Sequence, residues 1–216
     1  MKSILVIGMG RVGRHLSAKM LDLKNDVMIV DKDEEIIEKL SAYFPDANIG
    51  DCTNEDVLRS LGVSNFDVCF VTIGENFQSS LEITSLLKEL GAKHVVSKAS
   101  SDIQAKFLLR NGADDVFYPE REIAEKLAIC YNEENIFKYV ELTHDYGIFE
   151  IPIKPDWAGR SINDANVRKK HHINILAIKQ DESITPAPGA DYIFKPGDHI
   201  VIVGKPNDVF KLNAAK

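Results

Sequence analysis

The chain has 216 residues and a formal net charge of −7, with 44% hydrophobic and 27% charged residues. This composition excludes the disordered, collagen-like and coiled-coil classes, and the length allows one large domain or two small ones. The negative charge repels phosphate backbones, and the densest basic cluster, residues 168–170, is only three residues long. Both observations argue against a nucleic-acid partner. Cys52, Cys69 and Cys130 lack the spacing of a disulfide framework or a thiolate metal site. No segment reads as a signal peptide or a membrane span, so we expect a cytoplasmic protein.

The first half of the chain alternates short apolar strands with amphipathic helices. Continuous apolar blocks are typical of strands that are buried on both faces of a parallel sheet. Such blocks occur at residues 4–7, 27–30 and 68–71, and shorter ones at 94–96 and 115–117. Apolar residues at helical spacing lie between them. The pattern predicts an α/β fold with a Rossmann-like, doubly wound parallel sheet over residues 1–118.

The pattern changes in the second half of the chain. Residues 119–135 are predicted to form a connecting helix. Over residues 136–216, apolar and polar residues alternate between prolines and glycines, which is typical of short strands in a half-exposed sheet. One helix is predicted at residues 161–169 and another after Pro206. We therefore expect a second, smaller α+β domain.

A glycine-rich turn after the first predicted strand carries the clearest functional signal. Gly8, Gly10 and Gly13 have the GxGxxG spacing that binds a pyrophosphate between a strand and a helix. Asp31 ends the second strand about 20 residues further on, where a carboxylate accepts hydrogen bonds from ribose hydroxyls and repels a 2′-phosphate. An ordinary turn with Asp31 as a helix cap is the alternative, but Asp33 suits capping better. These residues predict NAD or an adenine nucleotide as the ligand, and not NADP.

The class of activity depends on the residues around this turn. Arg11 would place a cation beside two or three phosphates, or it is a solvated residue of the first helical turn. A hydride-transfer enzyme needs an acid or base near its nicotinamide, but neither His94 nor Lys98 has an obvious catalytic partner. Lys98 reads more simply as another phosphate contact. We favour a non-enzymatic nucleotide sensor, and a small NAD-dependent oxidoreductase is the alternative.

Several longer segments resemble the KtrA/TrkA family of regulator-of-potassium-conductance proteins. They include GDCTN at residues 50–54, VTIGENFQSS at 71–80, GADDVFYPE at 112–120 and PGDHIVIVG at 196–204. The resemblance extends over essentially the whole chain and is strongest to the single-copy KtrA type. It implies a cytosolic subunit, peripheral to the membrane, that gates a potassium transporter subunit of the KtrB or TrkH kind. It also implies a homodimer that assembles into a ring, typically an octamer. Uptake and efflux partners both remain open.

The resemblance implies a nucleotide site in the first lobe, where relatives bind ATP, ADP or NAD(H). The matching phosphate contacts are Gly8, Gly10, Arg11, Val12 and Gly13. Asp31 would hold the ribose, and the rest of the site would comprise Lys32, Asp51, Cys52, Thr72, Ile73 and Lys98. Glu120 matches a carboxylate that helps to hold Mg²⁺ or Ca²⁺, although an acid at this position also suits the first turn of a helix.

The resemblance implies a second ligand in the C-terminal lobe, since many relatives bind cyclic di-AMP there. Arg168 matches a phosphate-contacting arginine. The apolar wall of the pocket would comprise Ile162, Ile173, Ile175 and Pro188. Each of these aliphatic residues also suits a plain core position.

Overall fold

A computed structural model describes residues 1–74, 76–132, 135–143 and 145–214 of the chain. The chain divides into two compact units, Met1–Glu120 and Arg121–Lys216. In chain order, the elements of the first unit are β1 (Ser3–Ile7), α1 (Arg11–Asp22), β2 (Asp26–Asp31), α2 (Glu34–Ser41), β3 (Asp46–Ile49), α3 (Glu55–Leu61), β4 (Val68–Val71), α4 (Phe77–Glu89), β5 (Val95–Lys98), α5 (Asp102–Arg110) and β6 (Asp115–Phe117).

The six strands of the first unit form a parallel sheet in the order β3-β2-β1-β4-β5-β6. The chain builds outward from β1 in one direction and then from β4 in the other, so the order reverses between these two strands. A crevice forms at such a reversal, beyond the carboxyl ends of the strands. The predicted Rossmann-like, doubly wound fold is therefore confirmed.

The apolar run in β1 is continuous because helices cover both faces of the sheet. Leu5 and Ile7 pack into one buried cluster, and Ile4 and Val6 pack into another. All four side chains are at most 2% exposed. Successive side chains of a strand point to opposite faces, so a strand with two covered faces has no polar position.

The second unit contains most of α6 (Pro119–Asn132), an antiparallel sheet and short helices. Its further elements are β7 (Lys138–Thr143), β8 (Tyr146–Pro152), α7 (Ile162–Ala165), α8 (Val167–His171), β9 (Asn174–Gln180), β10 (Ser183–Pro186), β11 (His199–Gly204) and α9 (Pro206–Ala214). The strand order is β10-β9-β11-β8-β7, and one face packs on a core around Phe149, Trp157 and Phe194. The predicted α+β class is confirmed.

The single helix predicted at residues 161–169 is wrong. Two short helices, α7 and α8, are separated by Asn166, whose φ of 50° lies in the left-handed region. Asparagine tolerates this conformation better than most residues, and one such residue ends a right-handed helix. Helix α6 occupies most of the predicted connector at residues 119–135, and the domain role of that segment stays a prediction. Among the described residues, none of the helices combines the length and the apolar character needed to cross a bilayer.

A buried carboxylate lies on the face of the second sheet that is opposite Phe149. Glu150 in β8 is 6% exposed, and its Oε1 accepts a hydrogen bond from Lys179 Nζ at 2.7 Å and lies 3.4 Å from His199 Nδ1. Burial raises the pKa of Glu150. The hydrogen bonds from Lys179 and His199, with the charges of Lys179 and Lys138, outweigh it and leave the pKa below its ordinary value.

Replacing Glu150 by glutamine is expected to lower the free energy of unfolding at neutral pH by about 1–2 kcal/mol, because the cationic donors lose a charged acceptor. The folded pKa lies below the unfolded value of 4.5, so this stabilisation is complete above about pH 4.5 and is lost as the pH falls through the folded pKa. Thermal unfolding should show a gap between the two proteins at neutral pH that narrows in acid. Glu141→Gln, on the exposed part of β7, is the control. A gap of the same size at about pH 3 would contradict the charge argument.

Candidate functional site

A cavity of about 600 Å³ lies in the first unit, at the carboxyl ends of the central strands. Its size is typical of a small-molecule site. The structure brings together in its lining the predicted residues Gly8, Gly10, Arg11, Val12, Asp31, Lys32, Asp51, Cys52, Thr72, Ile73, Lys98 and Glu120. Gly13 is not part of the lining. Residues that the sequence argument did not single out also line the cavity, namely Ile7, Ile36, Gly50, Thr53, Gly74, Asn76, Ser79 and Ile83.

The glycine turn between β1 and α1 depends on two close backbone approaches. Gly8 has a φ of 96° and donates its N–H to Val30 O at 2.8 Å. A Cβ on Gly13 would lie 2.0 Å from Gly8 O, so only glycine lets α1 pack this closely. A Cβ on Gly10 would meet nothing within 4 Å. Gly13 therefore serves helix packing, as its place in the motif predicts, and Gly10 leaves open space beside the backbone.

The N-terminus of α1 is open to an anion. Gly10 is its N-cap and supplies no side-chain hydrogen bond, and the first turn contains no acidic residue. In contrast, a side chain caps the N-terminus of each of the next four helices. The capping residues of α2, α3, α4 and α5 are, in order, Asp33, Asn54, Asn76 and Ser101. Uncapped N–H groups and the helix dipole favour a phosphate at this position.

Asp31 ties the glycine turn to the end of β2. Its Oδ2 accepts a hydrogen bond from Met9 N–H at 2.5 Å, and its Oδ1 accepts one from Asp33 N–H at 3.0 Å. A carboxylate has about four acceptor positions, so Asp31 keeps capacity for ribose hydroxyls. The cap of α2 is Asp33, whose Oδ1 accepts from Ile36 N–H at 3.3 Å. Asp33 is therefore the cap of α2, as expected, and the ribose role of Asp31 stays a prediction.

Thr72, the residue that follows β4, supports the glycine turn. Its hydroxyl lies 2.6 Å from Gly8 O and 3.1 Å from Ile7 O, and the side chain is buried. A hydroxyl has one proton to donate, and this proton is directed to the backbone of the turn. Thr72 therefore positions Gly8, and its capacity to contact a ligand is limited to its remaining surface.

The far wall of the cavity follows β3. Hydrogen bonds from the Thr53 side chain and backbone lower the pKa of Asp51, so this carboxylate is charged at neutral pH. Burial, with the nearby charges of Asp51 and Asp31, raises the pKa of Cys52 to about 12. The thiol is therefore neutral and not a nucleophile, and Cys52 acts as a small apolar part of the wall.

An ion pair closes the cavity on the side of β5. Lys98 Nζ lies 2.6 Å from Glu120 Oε1, and the Lys98 side chain is 10% exposed whereas that of Glu120 is 59% exposed. The hydrogen bond from Lys98 lowers the pKa of Glu120, and the positive charges of Lys98 and Arg11 lower it further. In the part of the chain that the structure describes, no group of three or more His, Cys, Asp or Glu side chains is arranged to hold a metal ion.

Comparison with known proteins identifies the family of the chain. Residues 4–119 match the model of the TrkA-N domain, and residues 148–215 match that of the TrkA-C domain. The chain is 35% identical over 208 residues to the Ktr system potassium uptake protein C of Bacillus subtilis (strain 168), which covers 96% of this chain and 94% of the relative. The chain belongs to the KtrA/TrkA family. The Ktr system potassium uptake protein A of the same organism has the same identity and coverage.

A solved structure agrees on the fold of this family member. The GsuK channel bound to NAD superposes with a TM-score of 0.68 at 16% identity. The match covers 96% of this chain and 38% of the much longer channel chain. At this identity the likeness shows the fold alone.

The five residues that the family resemblance placed at a cyclic di-AMP pocket have different surroundings. Ile173 is 1% exposed and belongs to the core of the second unit. Ile162 and Ile175 are partly buried against that core, whereas Arg168 is exposed on α8 and Pro188 is half-buried after β10. In the single chain, Ile173 therefore serves packing, and the pocket stays a prediction.

Proposed function

We propose that this protein is the regulatory subunit of a membrane potassium uptake transporter and that it responds to an adenine nucleotide bound in the first unit. The observation that carries the proposal is the convergence of the uncapped α1 N-terminus and Asp31 on one cavity. The first suits phosphates and the second suits ribose hydroxyls. The 35% identity to two Ktr potassium uptake proteins supplies the system in which this site acts.

Binding, and not catalysis, is the role that we assign to the cavity. Among the described lining residues there is no histidine, Cys52 is a neutral thiol, and Lys98 is paired with Glu120. A regulator needs only a ligand that favours one of two conformations by its differential affinity. The oxidoreductase alternative requires an acid or base positioned for hydride transfer.

The proposed partners are a KtrB-like or TrkH-like transporter at the cytoplasmic face of the membrane and further copies of this chain. Three apolar side chains of α6 support assembly, since Ile123, Leu127 and Tyr131 are 58%, 49% and 84% exposed. They recur every four residues and therefore form one face of the helix. We propose that this face is covered in a homodimer that builds a ring, such as an octamer. An efflux partner is the alternative within the family.

A divalent cation and cyclic di-AMP enter the proposal as additional ligands. Glu120 offers a single carboxylate that is already paired with Lys98, so the described residues of one chain do not by themselves form a cation site. Mg²⁺ or Ca²⁺ would need phosphate oxygens of the nucleotide as further ligands. Arg168, which is exposed, would supply a phosphate contact for cyclic di-AMP in the second unit.

Isothermal titration calorimetry of the full chain tests the proposal. ATP, ADP, NADH and cyclic di-AMP are titrated separately, each with and without Mg²⁺ or Ca²⁺. We expect saturable binding of an adenine nucleotide and no turnover of it over hours. Steady oxidation of NADH with a small substrate would support the oxidoreductase, and absence of all nucleotide binding would remove the basis of the proposal.

Replacing Arg11 by alanine is expected to weaken ATP binding by about 10-fold and NAD binding by less than about 3-fold. The triphosphate of ATP carries more negative charge than the diphosphate of NAD, so ATP loses the stronger interaction with the Arg11 cation. Calorimetry with both ligands measures the difference. Arg14→Ala is the matched control, since Arg14 is exposed on the same helix but is not part of the cavity lining. Equal losses for ATP and NAD would contradict a polyphosphate role for Arg11.

A further inference from the structure

A basic segment at residues 168–170 makes up most of helix α8 and plays no part in the nucleotide cavity. Val167, on one side of this segment, is 2% exposed and belongs to the core of the second unit. His171, on the other side, is half-buried, and its ring centroid lies 5.7 Å from that of Trp157. Residues four apart share one face of a helix, so these two side chains hold α8 against the core. The three basic side chains between them are exposed to solvent.

A fourth cation extends this basic segment. Lys154 comes directly before the short turn that contains Trp157. Burial lowers the pKa of His171, and the positive charges of Lys154 and Lys170 lower it further, whereas the charge of Asp156 opposes them. Lys154 therefore lies close to the end of α8, and His171 is neutral at neutral pH. We call the four cations the basic patch, which comprises Lys154, Arg168, Lys169 and Lys170.

The basic patch lacks acidic partners within the described part of the chain. Elsewhere in the second unit, Lys138 and Lys179 lie 3.8 Å and 2.7 Å from the Glu150 carboxylate. No side chain of the patch forms an ion pair with a described residue. A helix dipole favours a cation near the carboxyl end, but adjacent cations repel one another. The patch therefore carries positive charge that a partner can neutralise.

The basic patch lies on an open surface and not in a pocket. Cavities of the second unit around Asp164 and around Glu182 are lined by neither α8 nor Lys154. Flexible lysine and arginine side chains on an open surface have no fixed shape that selects one small anion. They suit an extended anionic surface such as a layer of phospholipid headgroups, to which each Lys or Arg contributes roughly 5-fold in binding.

The net charge of −7 does not prevent such a contact. At physiological ionic strength, interactions between exposed charges are largely screened beyond about 8 Å, so a membrane interacts mainly with the groups nearest to it. Anionic lipids also move within the membrane and gather beneath a basic patch, whereas the phosphates of a nucleic acid are fixed along its backbone. For a patch of four cations, a lipid surface is therefore the better match.

We infer that the basic patch of the second unit binds anionic phospholipids at the membrane surface. This inference goes beyond the proposed function, in which a transporter subunit connects the chain to the membrane. Lipid binding would hold the second unit at the surface in which the transporter is embedded. Its test needs neither a nucleotide nor a transporter, so the inference and the proposed function can fail separately.

Sedimentation of the full chain with lipid vesicles tests the inference. We expect the chain to bind vesicles of phosphatidylglycerol and phosphatidylcholine in equal amounts, but not vesicles of phosphatidylcholine alone. Binding should disappear when the salt concentration is raised to about 0.5 M. A double variant with Lys169→Gln and Lys170→Gln is expected to bind about 25-fold more weakly, because two cations are lost. A double variant with Lys169→Arg and Lys170→Arg keeps the charge and should bind as the wild-type chain does.

Matched controls separate the basic patch from the remaining charges of the chain. Lys19→Gln combined with Lys195→Gln removes the same charge from exposed positions outside the patch, and binding should stay within about 2-fold of the wild-type value. Arg168, which is also the proposed contact for cyclic di-AMP, is unchanged in every variant. Free phosphate at constant ionic strength should not displace the chain from the vesicles. Circular dichroism confirms that each variant is folded.

Several results would overturn the inference. Equal binding to neutral vesicles would assign the contact to apolar groups, and equal losses in the control variant would place it outside the basic patch. Absence of binding by the wild-type chain would refute the inference directly. Polyglutamate and a DNA duplex represent other classes of partner. Lysine-dependent binding to either of them, without binding to anionic vesicles, would reassign the patch to an acidic protein or to a nucleic acid.

Discussion

Gly13→Ala is expected to lower the free energy of unfolding by about 3 kcal/mol or more and to abolish nucleotide binding. The new Cβ would lie 2.0 Å from Gly8 O and 2.7 Å from Thr72 Oγ1. Neither neighbour has room to move, because Gly8 N–H is bonded to Val30 O at 2.8 Å and Thr72, the residue after β4, is buried. Helix α1 would have to shift away from the sheet, and its N-terminus would then leave the cavity. Chemical denaturation and calorimetry measure the two effects.

Gly10→Ala is the matched control for this prediction. Its Cβ would meet nothing within 4 Å, and the φ of −66° is ordinary for alanine. We expect a change in stability within about 0.5 kcal/mol. Nucleotide affinity should still fall, because the methyl group would occupy the space through which phosphates approach the backbone. If Gly13→Ala were as stable as the wild-type chain, the close packing of α1 on β1 would be wrong.

The central strands could be predicted from the sequence, but the edge strands β3 and β10 could not. Strand β1 is apolar throughout because both of its faces are covered, and that signature is readable without a structure. Strand β3 lies at the edge of the parallel sheet and contains no fully buried residue, and every residue of β10 is exposed. An edge strand that buries little has no apolar pattern to distinguish it from a loop.

The interruption of the helix at residues 161–169 depends on a single backbone angle. Asn166 is polar, as a solvent-facing residue of a continuous helix would be. The spacing of the apolar residues around it therefore does not indicate that the helix is interrupted. Its left-handed conformation is a local event that ends α7 and starts α8. Hydrophobic periodicity reports which face is buried, and it does not report the reversal of one φ angle.

Part of the candidate site could likewise be predicted from the sequence, and part of it could not. Gly8, Gly10 and Asp31 could be placed because a strand, a glycine turn and a helix combine in one known geometry. The pairing of Lys98 with Glu120 depends on tertiary structure, since the register of β5 and β6 sets Lys98 opposite Phe117 and brings the following residues back to it. Gly74 and Asn76 lie within the segment VTIGENFQSS at residues 71–80, but the sequence alone does not show which residues of this loop face the cavity.

Asp31→Ala is expected to weaken the binding of ATP, ADP and NADH by about 100-fold, since charge-assisted hydrogen bonds to the ribose are lost. The same change frees Met9 N–H and Asp33 N–H, which the carboxylate holds at 2.5 Å and 3.0 Å. Part of the loss would therefore come from the glycine turn and not from the ribose. Asp33→Ala is the control, because it removes the cap of α2 and should cost about 1 kcal/mol of stability without changing nucleotide affinity.

A ligand that lacks one ribose hydroxyl separates the two roles of Asp31. In the wild-type chain, 2′-deoxy-ATP should bind about 10-fold more weakly than ATP, because one hydrogen bond to a charged acceptor is absent. In Asp31→Ala the two ligands should bind equally, since the acceptor itself is gone. If the variant still preferred ATP by the wild-type factor, another group would hold the ribose, and Asp31 would act only by fixing the glycine turn through Met9. The affinity ratio of the two ligands in the two proteins therefore decides whether this carboxylate contacts the nucleotide.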